Sequence, residues 1–265
     1  MDRRIEDIKQ LVREGYAKVV RQRTSCCSTN SCCGSTNQAQ DTSKAIGYSD
    51  LEIGAVPEGA NLGLGCGNLV AIALLKEGDI VLDLGSGAGF DVFLASPRVG
   101  KTGRVIGIDM TPEIVERARA NAKKGNYGNV EFRLGEIEKL PVRDNFADVI
   151  ISNCVINLSP DKEAVFKESF RVLKPGGRLM VSDLVLVNEL SDSIKGSVEA
   201  YVGCLAGALR KDKYLQFITQ AGFQDVKVIS LSNYPLDAMF DIFKDAEGAV
   251  ASIKVSALKK KLNGA

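Results

Sequence analysis

The chain contains no histidine and no tryptophan in 265 residues, and its formal net charge is only +1. Histidine is the usual general base near neutral pH, so serine triads, most zinc hydrolase sites and imidazole relays are excluded. With 34 basic against 33 acidic residues there is no basic excess to hold a nucleic acid. No apolar run approaches the roughly 18 residues that span a bilayer. The charged opening Met1-Asp2-Arg3-Arg4 lacks the apolar core of a targeting segment. Aromatic residues amount to 6%, which is little material for an organic-ring pocket. The remaining composition, 45% apolar and 25% charged, is that of an ordinary globular protein. These features predict a soluble, cytoplasmic, monomeric chain with no membrane or nucleic-acid partner.

Seven cysteines are present, four of them in the adjacent pairs Cys26-Cys27 and Cys32-Cys33. In a reducing compartment such residues are ligands or redox groups rather than a disulfide frame.

Patterning along the chain predicts its organisation. Ile5, Ile8, Leu11, Val12, Val19 and Val20 fall mostly on one helical stripe over residues 2 to about 22. Residues 24–44 are rich in Ser, Thr, Asn and Gly and read as a flexible cysteine-bearing loop. A short apolar helix is expected over Leu69–Leu75. From Asp79 the pattern becomes regular, with strands expected at residues 79–84, 104–109, 130–134, 147–152 and 178–183. Between them lie helices, one with Thr111 as cap and Pro112 at its first position, another from about Lys162 to Leu173 stopped by Lys174-Pro175-Gly176-Gly177. Strands alternating with helices imply an α/β, Rossmann-like, doubly wound and mostly parallel sheet. The expected parts are an N-terminal helix with the cysteine-pair loop (1–60), a Rossmann-like core (61–190), and a helical insertion followed by the last helix and strands (191–265). Within that last part, Asp225–Ile229 and Ala251–Leu258 read as strands and Lys259 onward as a frayed basic tail.

The loop Asp83-Leu84-Gly85-Ser86-Gly87-Ala88-Gly89-Phe90-Asp91 joins the first strand to its helix. Its G-x-G-x-G spacing brings the third glycine one residue earlier than in a dinucleotide fingerprint. Asp83 would repel a pyrophosphate but welcome an ammonium group. S-adenosylmethionine carries one, and its carboxylate can take a helix N-terminus. Asp109, at the end of the second strand, can accept both ribose hydroxyls. The expected cofactor residues are Asp83, Gly85, Ser86, Gly87 and Gly89 of the loop, and Asp109 with Met110 after the second strand. Glu136 and Ile137 after the third strand, in reach of an adenine edge, and Asn153 after the fourth complete the set. The arrangement resembles the class I methyltransferases, whose usual turn is matched by Leu173-Lys174-Pro175-Gly176-Gly177 before the fifth strand.

Cys66, Cys154 and Cys204 are far apart in sequence. In a sheet ordered 3-2-1-4-5, however, the first, fourth and fifth strands are neighbours, and ligands bind beyond their carboxyl ends. Glycines flank Cys66 and Asn153 precedes Cys154, which predicts exposed turns rather than strand interiors. The competing reading is that each cysteine is a small buried hydrophobe. Three thiolates without imidazole favour a soft centre. Zinc usually wants four ligands and C-x-x-C knuckles, and none occurs here. Trivalent arsenic takes three sulfurs in a pyramid, and its lone pair can attack a sulfonium methyl with no proton removed from the acceptor.

Asn61-Leu62-Gly63-Leu64-Gly65-Cys66-Gly67-Asn68, the loop 83–91, Ser152-Asn153-Cys154-Val155-Ile156-Asn157-Leu158 and Tyr201-Val202-Gly203-Cys204-Leu205-Ala206-Gly207-Ala208 resemble the arsenite methyltransferases. The resemblance implies S-adenosylmethionine as donor and arsenite, presented as a glutathione or other thiol conjugate, as acceptor. It implies that Cys154 and Cys204 hold arsenic, with Cys66 as third ligand or redox partner. Cys32 or Cys33 would close a disulfide with Cys66 to return arsenic to the trivalent state, Cys32 being slightly favoured. Thioredoxin or glutathione would then reset the thiols. Cys26 and Cys27 would capture arsenic or be spare. Two rivals remain: a carbon, nitrogen or oxygen methyltransferase of small molecules, and a metalloid sensor or sequestering protein.

Overall fold

The computed structural model describes residues 3–24, 35–71, 73–234, 246 and 248–261. Three helices come first: α1 (Arg3–Thr24), α2 (Ser35–Ala45) and α3 (Asp50–Gly54). The alternating part runs β1 (Ile80–Leu84), α4 (Phe90–Val99), β2 (Arg104–Asp109), α5 (Pro112–Lys124), β3 (Val130–Leu134) and β4 (Ala147–Asn153). A 3-10 turn (Ile156–Leu158), α6 (Lys162–Val172) and β5 (Leu173–Leu186) follow. The chain continues through α7 (Asp192–Lys195), α8 (Val198–Val202), β6 (Leu209–Arg210), α9 (Lys211–Gln220), β7 (Gln224–Asn233) and β8 (Val250–Leu258).

One sheet organises these elements, in the order β3-β2-β1-β4-β5-β8-β7, with β6 beside β5. All pairings are parallel except those of β8, which runs antiparallel to β5 and β7. The central strands are mostly apolar because helices cover both faces: Val81, Leu82, Leu84, Val105, Ile106, Ile108, Ile150 and Ile151 are fully buried. On one face the core includes Phe166, Val172, Tyr214 and Ile218 from α6 and α9. On the other it includes Val92, Phe93, Ala95 and Ala118 from α4 and α5. Parallel strands end together at one rim, and that rim carries Asp83, Asp109 and Asn153.

Several local expectations change. Residues 35–45 form a helix instead of continuing the loop. Residues 69–75 form no helix among the described residues. A single bond, Ala73 N–H to Leu69 C=O, closes there, and the Arg178 guanidinium takes the carbonyls of Ala73 and Leu74. Those carbonyls are thus committed to a side chain of β5 rather than to helical N–H donors. Thr111 stands at the cap position of α5, but its side chain makes no capping bond. Asp161 caps α6 through Ala164 N–H. The Lys174–Gly177 segment does end α6, yet it lies within β5, at the register shift against β4. The expected insertion shrinks to two short helices, α7 and α8.

Candidate active site

A cavity with an empty volume of about 1080 Å³, its open mouth included, lies beyond the carboxyl ends of β1, β2 and β4. Asp83, Gly85, Ser86, Gly87, Asp109, Met110, Ile137, Asn153 and Cys154 all line it. The roof comes from the N-terminal region: Lys9, Val12 and Tyr16 of α1, Ser43 of α2, and the stretch from Ala60 to Gly65.

The acidic end is made by consecutive residues. Gly85, Gly87 and Gly89 all have left-handed backbone, with φ of 66°, 54° and 99°. A Cβ on Gly85 would stand 2.3 Å from Val155 Cγ2, so the loop reaches the segment after β4 only as glycine. Gly87 N–H donates to Asp109 Oδ2 at 3.1 Å and Thr111 N–H to Asp109 Oδ1 at 2.9 Å. Each carboxylate oxygen thus keeps capacity to accept a further donor, as a vicinal diol requires. Burial pushes the Asp109 carboxyl up, against the pull of these backbone bonds. Asp83 is 2% exposed and accepts no hydrogen bond from any described residue. Burial, then the nearby Asp91 and Asp109 charges, push its carboxyl well up. The buried Ser86 hydroxyl also lacks a partner. A buried carboxylate with nothing to pair with calls for a cationic ligand group. These residues therefore fit the ammonium and ribose of S-adenosylmethionine.

Two expected cofactor residues act elsewhere. Glu136 does not line the cavity: its carboxylate binds Lys9 Nζ at 2.7 Å and Arg13 at 2.9 Å, docking α1 to the segment after β3. Ile137 lines the cavity instead. Gly89 caps α4 and lies against Phe93 and Phe132, where a Cβ would collide.

At the other end the three remote cysteines meet. Cys66 and Cys154 form a disulfide with their Cα atoms 5.5 Å apart. Cys204 Sγ donates to Cys154 C=O at 2.8 Å. The expectation of exposed turns fails, since Cys66, Cys154 and Cys204 are 3%, 4% and 3% exposed within one apolar cluster. They occupy turns, but residues of α1 and α8, and Tyr234, pack in the same cluster. Cys154 and Cys204 have left-handed backbone, with φ of 57° and 64°. Non-glycine residues bear that conformation at a cost, and it clusters at functional sites. Burial and the Asp183 charge push the Cys204 thiol up, while Tyr16 and Lys162 pull it down. Cys66 has Cys154 as partner here; Cys26, Cys27, Cys32 and Cys33 lie outside the described residues.

Sequence reasoning missed Tyr48, Asp91 and Tyr16. Asp91 carried a signal, being a carboxylate in the first turn of the helix that follows the glycine loop. Tyr48 and Tyr16 reach the site only through tertiary packing, and no local pattern marks them.

A methyltransferase-domain family profile matches residues 75–222. The chain is 44% identical over 235 residues to the arsenite methyltransferase of Halobacterium salinarum, covering 86% of this chain and 60% of that one. The crystal structure of an arsenic(III) S-adenosylmethionine methyltransferase from Chlamydomonas reinhardtii superposes with a TM-score of 0.64 at 32% identity, covering 84% of this chain and 74% of that one. The chain belongs to the arsenite methyltransferase family. Its fold is therefore the class I methyltransferase fold. The human arsenite methyltransferase is 39% identical over 175 residues, covering 63% of this chain and 46% of that one. This member of the family spans about 60% of the length of the Halobacterium relative. Among its described residues no helix is long and apolar enough to cross a membrane.

Proposed function

We propose that this family member transfers methyl groups from S-adenosylmethionine to trivalent arsenic bound by Cys154 and Cys204, with Cys66 as third ligand or redox partner. The observation that carries the reading is the meeting of three cysteines from remote segments, with Cys154 on the wall of a cavity that holds an unpartnered buried carboxylate. When bound, the cofactor supplies a methyl group on a positively charged sulfur. The chain's residues do the rest. Asp83 and Asp109 orient the donor, α1 roofs the site against water, and the sulfurs hold arsenic with its lone pair directed at the methyl. Such catalysis is mainly alignment, and a site without histidine suffices because the acceptor loses no proton.

Methyl transfer formally oxidises arsenic by two electrons. A pair of thiols returns those electrons by forming a disulfide and losing two protons. The Cys66–Cys154 bond is a disulfide of that kind, and a chain carrying it has one free thiol among the three. Two molecules of glutathione, or one reduced thioredoxin, would open it by exchange. Cys32 or Cys33 would be an intermediate partner for Cys66. The acceptor would arrive as a thiol conjugate of arsenite, and the enzyme would work as a monomer in the reducing cytoplasm.

Purified chain, S-adenosylmethionine, glutathione and arsenite test the reading. Methylated arsenic should form, and Cys154→Ser or Cys204→Ser should abolish it. Full arsenic methylation by either variant defeats the assignment.

A further inference from the structure

Asn153 is a cofactor residue by sequence pattern, yet its side chain is spent on the protein. Its Oδ1 accepts Cys66 N–H at 2.8 Å. The two N–H donors of its Nδ2 are shared among three acceptors, Gly67 C=O at 2.7 Å, Asp91 Oδ2 at 3.0 Å and Tyr48 Oη at 3.0 Å. Tyr48 in turn donates to Asp91 Oδ1 at 2.6 Å, so the Asp91 carboxylate is gripped from two sides. One amide at the end of β4, next to Cys154, therefore holds the backbone on either side of Cys66, at the Cys66 N–H and at the Gly67 carbonyl. Gly65 belongs to the same device: a Cβ there would stand 3.0 Å from Asn153 Nδ2 and 3.2 Å from Ile46. Glycine before Cys66 is thus explained by the close approach of this amide.

We propose that Asn153, oriented by Asp91 and Tyr48, is a positioning residue for the Cys66–Cys154 thiol pair. It keeps the Cys66 loop against the end of β4, so that the two sulfurs face each other at high effective concentration in the reduced state and close readily. Closure removes one proton and one electron from each thiol and reduces one glutathione disulfide to two glutathiones; opening is the reverse. The role in turnover rests on the function proposed above, but the thiol equilibrium does not.

The test equilibrates the full chain in glutathione buffers of graded oxidised-to-reduced ratio. Free thiols are then trapped by alkylation, and the Cys66–Cys154 peptide pair is quantified by mass spectrometry. In Asn153→Ala the equilibrium constant for closing the disulfide should fall at least about tenfold, as expected when a half-buried, several-bonded amide is removed. Gly65→Ala should shift it in the same direction by crowding the amide. The affinity for S-adenosylhomocysteine should stay within about threefold in both, which a cofactor-ligand role would not allow. Reduced-state melting temperatures identify any variant that fails to fold, and Tyr48→Phe then replaces it. An equilibrium within twofold of the parent in the folded variants overturns the proposal. So does a fall in S-adenosylhomocysteine affinity with the equilibrium unmoved, which would make Asn153 a cofactor ligand. If the parent fails to methylate arsenic while the equilibrium shifts as stated, the function falls and the clamp stands.

Discussion

The acidic end and the sulfur end of the cavity are built by opposite means. At the acidic end, strand, carboxylate, glycine loop and helix follow one another within the span from Ile80 to Val99, and the second carboxylate closes the very next strand. At the sulfur end, Cys66 and Cys154 are 88 residues apart and Cys204 lies 50 residues further on. The first end is local and needs only the sheet to exist. The second depends on the order of β1, β4 and β5 and on α1 and α8 folding over the rim. Damage should therefore remain confined at the acidic end, whereas the sulfur end should answer to many distant residues.

The largest effect expected is loss of arsenic methylation, by at least about a hundredfold, in Cys154→Ser or Cys204→Ser. Affinity for S-adenosylhomocysteine should hardly change, as calorimetry would show. A fall in both would mean that the two ends are not separable. Next comes the redox state of the sulfur end. Chain isolated with the Cys66–Cys154 bond should bind arsenite only after thiol reduction, a difference that tryptophan-free tyrosine fluorescence or arsenic retention on a desalting column would detect.

Asp83→Asn probes the acidic end and should weaken S-adenosylhomocysteine by about tenfold or more. The sign with pH follows from the raised Asp83 carboxyl. An ammonium group needs the ionised form, so parent affinity should climb as pH rises above the ordinary carboxylate range, and the slope should flatten in the variant.

A smaller effect is expected below the sulfur end, at Asp183. Burial raises this carboxyl to about 7, although Leu184 N–H, Lys162 and Tyr214 oppose the shift. A folded-state value above the unfolded one means that the native chain holds the extra proton. The associated stability is complete below about pH 4 and is lost as pH rises through 7. Melting temperature should fall between pH 5 and pH 8 more steeply in the parent than in Asp183→Asn, by about 5 °C.

Smallest of all is Glu136→Gln. Its half-exposed pair with Arg13 is worth about 1 kcal/mol at most, and the buried Lys9 keeps Glu138 as a second partner at 3.4 Å. Affinity for S-adenosylhomocysteine should change less than about threefold. A larger loss would restore Glu136 to the adenine edge and extend the acidic end beyond the first two strands.

The amino-acid sequence by itself determined the alternation of strands and helices, the loop from Asp83 to Gly89, and the second acidic position at Asp109. Each of these rests on near-neighbour physics: apolar strands buried on both faces, glycine where φ is positive, proline at a helix start. The proposal of a thiophilic acceptor also starts from the sequence, because histidine is absent and the cysteine contexts are distinctive. The tertiary structure alone decided that Cys66 bonds to Cys154, that all three cysteines are buried, and that Glu136 docks a helix. It also assigned Tyr48 and Asp91 to orient Asn153. Those outcomes depend on which segments, tens of residues apart, share the rim of the sheet. No periodicity records that, since the free energy involved comes from long-range packing and hydrogen bonding rather than from any residue's own neighbours.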